Sequence, residues 1–324
     1  MDFRTIRYFI EVADNHSLRI ASDRLHIASS AISRKISMLE QALGVRLFDR
    51  TSAGMSLTTA GTVYRDYARR VMAETDRINV EMFAIKGVIR GHLRIAMLDG
   101  ITADLGIRAW SRFHALHPDV TLEIQASGAD RVIEAVVSRT VDVGVAANSQ
   151  KVAGITTLGR LKAPVYAVMS PAIYQSFMGQ AKIADITQRY SLALPDRTFV
   201  LRRQIDACAE LARIRLSPEL VTNSVEALRE YARSGGGVTL LPQLAVSGDL
   251  RDGRLVGIPL AEPILRNSTI DIVVSKGDAL SPSLKAYVNC IKDAAEDIAS
   301  ALRTTARPLR RSKPRRLKSA EASS

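Results

Sequence analysis

The stretch HIASSAISRKISMLEQALG, from His26 to Gly44, joins an apolar stripe to an unusual polar face. Apolar side chains recur along it at helical spacing, which predicts a helix: Ala28, Ile32, Ile36, Leu39 and Leu43. Its N-terminal half carries three serines and two cations: Ser29, Ser30, Ser33, Arg34 and Lys35.

That polar face has two interpretations. Most charged runs on helices are only solvated surfaces, and the stretch alone allows this interpretation. A solvated face usually carries strong helix formers, however, whereas serine competes with the backbone for hydrogen bonds and is poor inside helices. Small donors beside an arginine suit a helix whose N-terminal end lies against phosphates and base edges.

The residues before this stretch predict two further helices. A stripe at three-to-four spacing marks the first: Phe3, Ile6, Phe9, Ile10 and Ala13. Ser17 is a good N-cap for a short second helix, Leu18 to Leu25, and a turn at His26 and Ile27 follows. Helix, short helix, turn and helix form a helix-turn-helix, whose second motif helix enters the major groove of DNA.

The residues after the stretch predict a small hairpin, or wing. Apolar and β-prone residues precede a turn at residues 52–54, and alternation resumes at Met55 and Leu57. Arg50 and Thr51 lie near the tip of this hairpin. An arginine in that place can reach the DNA backbone or a narrow minor groove.

Four ordered blocks resemble the LysR-type transcriptional regulators: IRYF (6–9), ASDRLHIASSAISRKI (21–36), LGVRLFDR (43–50) and LTTAG (57–61). The resemblance implies a winged helix-turn-helix over residues 1–58 that binds double-stranded DNA with two-fold symmetric half-sites. It implies an assembly of two or four copies and allows RNA polymerase as a further partner. The DNA contacts expected from it are Ser17, Ser29, Ser30, Ser33, Arg34, Lys35, Arg50 and Thr51.

The chain departs from this family at one place in the recognition helix. Most relatives carry Ser-Gln where this sequence has Ala28-Ser29. The usual hydroxyl N-cap is therefore missing, and a glutamine that often reads a base is replaced by a shorter serine. We expect DNA binding to be retained with a shifted sequence preference.

Residues 59–90 predict a long linker helix, because no proline occurs there and no glycine between Gly61 and Gly87. One heptad series runs along it: Tyr64, Val71, Ile78 and Ile85. Such a stripe can pack on its own domain. A long helix that leaves a small winged domain has little to pack against except a copy of itself, and the resemblance favours the copy. We therefore expect dimerisation through this series.

Composition limits the class of protein. A chain of 324 residues with 47% hydrophobic residues should hold more than one domain with a true core. Cys208 and Cys290 lie far apart without a CxxC motif, so each is expected to be a small buried residue. No apolar run approaches membrane-spanning length and no signal peptide is evident, so a cytoplasmic protein without membrane contact is expected.

Enzymatic function is the main alternative. The sequence contains no G-x-S-x-G elbow, P-loop or H-E-x-x-H motif, and its histidines lack metal-binding partners, so no catalytic residue, metal or cofactor is expected. A secreted solute-binding protein is a second alternative, which the predicted N-terminal DNA-binding domain disfavours. A cytosolic small-molecule binder or enzyme whose N-terminal domain serves only for oligomerisation stays open as a third.

Much of the net charge of +12 is concentrated at the C-terminal end. Residues 303–324 hold eight cations and one acid in a sequence rich in proline and serine, and we expect this tail to be disordered. It either adds unspecific DNA affinity or is an inert end, and the sequence leaves both interpretations open.

Residues 91–302 alternate strand and helix patterns, which predicts parallel sheets covered on both faces. By resemblance this region is similar to the two-lobed periplasmic binding proteins, with lobe I at 91–162 and 268–302, lobe II at 163–267, and a cleft between them. The expected architecture is thus an α+β multidomain chain: a winged helix-turn-helix, a long linker helix and a two-lobed α/β effector domain.

Ligands of open α/β sheets bind where strands end and helices begin, which selects three loops: 99–102, 127–130 and 222–224. In relatives, each of the first two loops usually has a Ser or Thr whose hydroxyl binds a carboxylate of the effector. This chain has Gly100 and Ala129 at those two positions, so we expect room for a bulkier or differently held ligand. If the small-molecule effector is anionic, Arg202 is the expected cation. The full set of expected effector contacts is Asp99, Gly100, Ile101, Thr102, Ser127, Gly128, Ala129, Arg202 and Asn223.

Overall fold

The computed structural model describes residues 2–51, 54–85, 90–147, 152–177 and 181–305. The N-terminal part folds into three helices, a hairpin and a long helix: α1 (Phe3–Asn15), α2 (Leu18–Leu25), α3 (Ser29–Leu43), β1 (Phe48–Thr51), β2 (Gly54–Leu57) and α4 (Thr59–Ile85). The helix-turn-helix and its wing are therefore confirmed, while Ser52 and Ala53 of the predicted turn lie outside the described residues.

Caps and turn residues set the ends of the first helices. Ser17 Oγ accepts a hydrogen bond from the Ile20 amide at 3.3 Å and so caps α2, as its position predicts. His16 and His26 end α1 and α2 with left-handed backbone angles, φ 52° and 54°. The three helices then pack their apolar stripes together around Phe9, which is fully buried.

Glu40 attaches the wing to α3. Its Oε1 accepts hydrogen bonds from the backbone amides of Leu47 at 2.8 Å and Phe48 at 3.1 Å. Both of those side chains are buried in the core of the winged domain. Two charge-assisted bonds and a shared core therefore fix the hairpin relative to the recognition helix.

The effector domain alternates strands and helices. Its lobe I elements before the first crossover are β3 (Gly91–Leu98), α5 (Asp99–Ile101), a π-helical turn (Thr102–Gly106), α6 (Ile107–Leu116), β4 (Val120–Ser127), α7 (Ala129–Val137), β5 (Val143–Ala147) and β6 (Ile155–Lys162). Lobe II begins with β7 (Val165–Met169), α8 (Pro171–Ser176), α9 (Ile183–Arg189), β8 (Leu192–Pro195), α10 (Val200–Leu211), β9 (Leu220–Thr222) and α11 (Val225–Arg233). It ends with β10 (Val238–Pro242), a 3₁₀ turn (Gln243–Ala245), α12 (Ser247–Arg251), β11 (Val256–Pro259) and α13 (Pro263–Arg266), after which β12 (Thr269–Ser275) and α14 (Pro282–Thr305) complete lobe I.

Each lobe contains one five-stranded sheet, ordered β4-β3-β5-β12-β6 in lobe I and β11-β7-β10-β8-β9 in lobe II. The expectation of parallel sheets is wrong for part of each. Three neighbouring strands are parallel in each lobe, but β12 and β7 run antiparallel to both of their neighbours. These are the strands that enter a lobe from the other one, so the crossover sets their direction, which hydrophobic periodicity does not report.

Seven apolar runs of this region predict strands: HLRIAML, VTLEIQ, VDVGVAA, PVYAVMS, YSLAL, GVTLL and TIDIVVS. Three of the observed strands were not predicted from the sequence: β6, β9 and β11. All three lie at the edge of a sheet. Edge strands are often short or polar, because one side of the strand faces solvent and needs no apolar run. The segments ITTLGRLK and LVT show this weak patterning, whereas each of the central strands is largely buried.

The two lobes share a hydrophobic core near the crossovers. Buried residues of lobe I strands, such as Leu93 and Ile272, belong to the same cluster as Val168 and Leu241 of lobe II. Helix α14 packs against α6, with Tyr287 fully buried. Because α14 continues to Thr305, the predicted disordered tail does not begin at residue 303; residues 306–324 lie outside the described part of the chain.

Within the described residues, no helix combines the length and apolar character needed to span a membrane.

Candidate functional site

The N-terminal half of α3 presents a small, polar and cationic face. Ser30, Arg34 and Lys35 are exposed, and Ser29 and Ser33 are half-buried. Ala28 precedes the helix and has no side-chain acceptor for the first-turn amides, as its residue type requires. These amides and the two cations together make this end of α3 attractive to phosphate groups.

Arg50 of the wing lies against the same helix. Its Nη1 donates to Ser33 Oγ at 3.4 Å and its Nη2 donates to Ser37 Oγ at 3.3 Å. The structure thus brings two of the sequence-predicted residues together and adds Ser37, which the sequence reasoning missed. The signal was available, since Ser37 is one helical turn beyond Ser33 and lies on the same face.

Ser17 and Thr51, the other predicted DNA contacts, each have a structural role as well. The Ser17 hydroxyl caps α2, and Thr51 Oγ1 donates to the Gly54 carbonyl across the hairpin at 3.4 Å. Both residues lie at the ends of elements that flank the cationic face, and Thr51 is exposed.

The heptad series of the linker helix α4 does not form one continuous exposed stripe. Tyr64 is buried in the core of its own winged domain, with its ring edge-on to Phe9 at 4.7 Å between centroids, so its assignment to a dimer contact is wrong. Val71 is half-buried against the same core. Ile78 is 49% exposed and remains available for a partner, while the side chain of Ile85 lies outside the described atoms.

A cleft of about 620 Å³ lies between the two lobes of the effector domain. Seven of the nine sequence-predicted effector residues line it: Asp99, Gly100, Ile101, Ser127, Gly128, Ala129 and Asn223. The start of α10 supplies residues that the sequence reasoning missed: Thr198, Phe199, Val200, Leu201 and Gln204. They follow β8 directly, so the rule that selected the other loops applied to this one too.

Two helices direct uncapped ends at the cleft. The N-caps of α7 and α10 are Gly128 and Phe199, neither of which has a side-chain acceptor. First-turn amides of a helix have no partner within the helix, so both ends offer backbone donors to a ligand. Helix α11 differs, because Ser224 Oγ accepts from the Ala227 amide at 3.2 Å.

The expectation that Gly100 leaves room for a ligand is wrong. A Cβ atom at this position would lie 3.0 Å from Cγ2 of Val225, the first residue of α11 in the opposite lobe. The missing side chain therefore permits the two lobes to approach closely. Ala129 lies in the lining, at the start of α7.

Thr102 and Arg202 are the two predicted effector residues absent from the cleft lining within the described chain. Thr102 Oγ1 donates to the Leu98 carbonyl at 3.0 Å inside the π-helical turn. Arg202 is buried; its Nε donates to Asp206 at 2.8 Å and its Nη1 to the Pro195 carbonyl at 2.9 Å. Arg202 therefore secures α10 to β8.

Charges at the cleft are mixed. Its lining includes the acidic residues Asp99 and Asp130 and the basic residue Arg131. The amide groups of Gln204 and Asn223 add neutral donors and acceptors on the lobe II side. Apolar residues, among them Leu241, also line the cleft, which therefore combines charged, neutral polar and apolar residues.

Both cysteines are buried, as the sequence predicted. Burial raises the pKa of the Cys208 thiol, and the neighbouring carboxyl of Glu262 raises it further. Burial also raises the pKa of Cys290. Thiols of this kind stay protonated near neutral pH and are poor nucleophiles.

Comparison with known proteins assigns both parts of the chain. Residues 3–62 match the family of bacterial regulatory helix-turn-helix proteins, lysR family, and residues 86–296 match the LysR substrate binding domain. A curated relative, the HTH-type transcriptional regulator ClcR of Pseudomonas putida, is 26% identical over 295 residues, which is 90% of this chain and 98% of the relative.

Solved structures of similar fold extend over almost the whole chain. Full-length CbnR in complex with its target DNA is 22% identical, with a TM-score of 0.60, and the match covers 91% of this chain and 100% of that one. A full-length OxyR variant from Pseudomonas aeruginosa is 21% identical, with a TM-score of 0.68, and the match covers 94% of this chain and 97% of that one. The winged helix-turn-helix, the two-lobed domain and these matches agree: the chain belongs to the LysR family and is a DNA-binding transcriptional regulator whose activity an effector modulates.

Proposed function

We propose that the N-terminal half of α3 and the wing arginine form the surface that reads the operator. The observation that carries this proposal is the exposure of Ser30, Arg34 and Lys35 in the N-terminal half of α3, with Arg50 of the wing hydrogen-bonded to Ser33 and Ser37 of the same helix. Arginine and lysine in this position neutralise phosphates, while the short serine hydroxyls contact base edges. Selecting bound duplexes from a random-sequence pool tests the proposal and identifies the operator.

The same proposal divides the chain into functional parts. Residues 1–58 bind DNA, residues 59–90 link and dimerise, and residues 91–302 bind the effector. Support for the dimer is the exposed apolar surface of α4 at Ile78 and Met82, which are 49% and 57% exposed. A two-fold dimer matches two half-sites in one operator. As a bacterial DNA-binding regulator, the protein acts in the cytoplasm, where the chromosome lies.

For the effector cleft we propose a ligand that is neutral or zwitterionic overall, with an apolar body. Backbone amides at the starts of α7 and α10 hold its acceptor groups, and Gln204 and Asn223 orient it. Support comes from the mixed charges of Asp99, Asp130 and Arg131 and from the engagement of Arg202 elsewhere. The apolar side of the ligand packs on Phe199 and Leu241.

Matched small molecules test this ligand class. Benzoate, benzylamine and phenylalanine share an apolar ring and differ in charge, and each is added to the full-length protein in a thermal-shift titration. Phenylalanine is expected to stabilise the effector domain more than benzoate does. A larger stabilisation by benzoate would contradict the proposed ligand class. The ligand is expected to be recovered unchanged after incubation, since we propose binding without turnover.

A further inference from the structure

Arg69 of α4 bonds to two parts of the molecule at once. Its Nη2 forms a close ion pair with Asp14 Oδ1 at the end of α1, and its Nη1 donates to the backbone carbonyl of Ser138 at 3.0 Å. The Arg69 side chain is only 10% exposed. One guanidinium therefore connects the winged domain, the linker helix and lobe I.

The Ser138 carbonyl lies at the C-terminal end of α7. The last carbonyls of this helix accept further bonds from the amides of Ser138, Arg139 and Thr140, at 2.9, 3.1 and 3.0 Å. The C-terminal end of a helix carries a partial negative charge, so a guanidinium there is favourably placed. Arg69 thus interacts with the C-terminal end of α7 in two ways: its positive charge lies at the negative end of the helix, and its Nη1 donates a hydrogen bond to the Ser138 carbonyl.

The opposite end of α7 lies in the effector cleft. Gly128, Ala129, Asp130 and Arg131 all line that cleft. A helix of nine residues is a stiff element about 13 Å long. A ligand that shifts the first turn of α7 therefore also displaces the Ser138 carbonyl, because the helix moves as a body.

Near Arg69 the linker helix is not packed tightly on lobe I. A groove of about 910 Å³ runs between them, bordered on the α4 side by residues from Tyr67 to Ile78. Across this groove the carboxyl of Asp76 faces Arg94 of lobe I; burial raises the pKa of Asp76, and the charge of Arg94 partly offsets that rise. A shift of α4 on lobe I would therefore not have to break a continuous close-packed interface along this stretch.

We propose that Arg69 is the positioning residue that couples the effector cleft to the winged domain, through α7 on one side and Asp14 on the other. This inference rests on the proposed effector cleft. The planar fork of arginine serves both partners from separate nitrogens, which the single ammonium of a lysine does not do. Coupling of this kind is reciprocal, so DNA bound to the winged domain also alters α7.

Reciprocity permits a test without knowledge of the effector. Hydrogen exchange is followed at the amides of Ser138, Arg139 and Thr140, and at residues 128–131, with and without an operator duplex selected by the wild-type protein. The proteins compared are wild type, Arg69→Ala, Arg69→Lys and the matched control Arg70→Ala, which removes an adjacent exposed cation of the same helix.

Two results are expected. Without DNA, Arg69→Ala raises exchange at the three amides about tenfold, because the helix end loses a charge-assisted bond. With DNA, wild type and Arg70→Ala change their exchange at both ends of α7, whereas Arg69→Ala and Arg69→Lys do not, and duplex affinity in all four stays within about threefold.

An Arg69→Ala protein that keeps the DNA-induced change, or a wild type that shows none, would overturn the proposal. An Arg70→Ala protein that loses the change would also overturn it, because the effect would then belong to charge on α4 in general. Arg69→Lys keeps the cation, so it covers the case in which the alanine variant does not fold. Failure of any duplex to be selected would instead contradict the DNA-binding surface, and exchange without DNA would still report on the Arg69–Ser138 bond.

Discussion

Gly100 of lobe I packs directly against Val225 of lobe II, so closely that a Cβ atom on the glycine would lie 3.0 Å from Cγ2 of the valine. The start of α5, directly after β3, and the start of α11 are therefore in contact, and both residues line the effector cleft. A side chain at residue 100 would require Val225 to give way by a few tenths of an ångström, so the glycine permits this close approach of the two lobes.

That contact predicts energetic coupling between the two positions. Gly100→Ala should be tolerated better in a Val225→Ala background than in wild type, because the shortened side chain removes the clash. The expected interaction energy in a double-mutant cycle of urea unfolding is about 0.5 kcal/mol or more. Strictly additive effects of the two substitutions on the free energy of unfolding would show that the lobes can move apart at this contact without a loss of stability.

The recognition helix carries the second prediction. Arg34→Ala should weaken operator binding while leaving the fold and the dimer intact, since Arg34 is exposed. Loss of one phosphate contact should also reduce the slope of log affinity against log salt by about one unit. Fluorescence anisotropy across a salt series measures both. Unchanged affinity at every salt concentration would remove Arg34 from the DNA surface.

Dimer formation is tested at Ile78. A glutamate there, near its symmetry mate in a two-fold interface, places two like charges in a desolvated contact. Ile78→Glu should therefore shift the sedimenting species to the monomer and abolish operator binding together. Tyr64→Glu is the informative contrast, because Tyr64 is buried in the winged core and its substitution should unfold that domain instead. An Ile78→Glu protein that stays dimeric would exclude this face of α4.

Sequence patterns predicted the elements of this protein well where the signal was local. The helix predicted at Leu18–Leu25 is observed with those bounds, and Ser17 caps it as expected. Binary patterning also separated the winged domain from the α/β lobes. Such features depend on neighbours within one or two helical turns, which a single sequence contains in full.

Patterns failed where distant residues decide the outcome. A heptad series indicated that Tyr64 faces a partner, but it does not reveal that α1 folds back over the first turns of α4. The Gly100–Val225 contact joins residues of different lobes and had no local signal. Arg202 is different: its partner Asp206 is four residues away on the same helix, so the pairing that removes it from the cleft was readable from spacing.

A buried carboxylate predicts how stability depends on pH. Asp249 of α12 is fully buried and forms ion pairs with Arg229, Arg233 and Arg254. Burial alone would raise the pKa of Asp249, but hydrogen bonds from Arg233 and Arg229 outweigh it, so the pKa is lowered.

A lowered pKa means that the stabilisation by Asp249 is present above the ordinary aspartate value, about 3.9, and is lost as pH falls through the lower folded-state value. Asp249→Asn should therefore cost about 1–3 kcal/mol at pH 7, because the arginines lose their shared buried anion but keep ion pairs with Glu226, Glu230 and Asp252. The loss of unfolding free energy caused by Asp249→Asn should become smaller at acidic pH. Urea unfolding at pH 7 and near pH 3 measures it, and a loss that does not change with pH would contradict the assignment.

The last prediction separates ligand contacts from scaffold in the effector cleft. Gln204 lines the cleft, whereas Arg202, two residues earlier on α10, is buried and bonds to Asp206 and the Pro195 carbonyl. Gln204→Ala should weaken binding of the amphipathic ligand that stabilises wild type best by about tenfold, with little effect on the unfolding temperature of the free protein. Arg202→Ala should do the reverse: it leaves a buried acid and a carbonyl without their donor, lowers the unfolding temperature and changes ligand affinity little in the folded fraction. Calorimetric titration and thermal unfolding of both variants give the two readouts. The opposite result is equal ligand affinity in Gln204→Ala and wild type, with weakened binding in Arg202→Ala. It would show that Arg202 contacts the ligand, and that the ligand binds on the other side of α10 from Gln204.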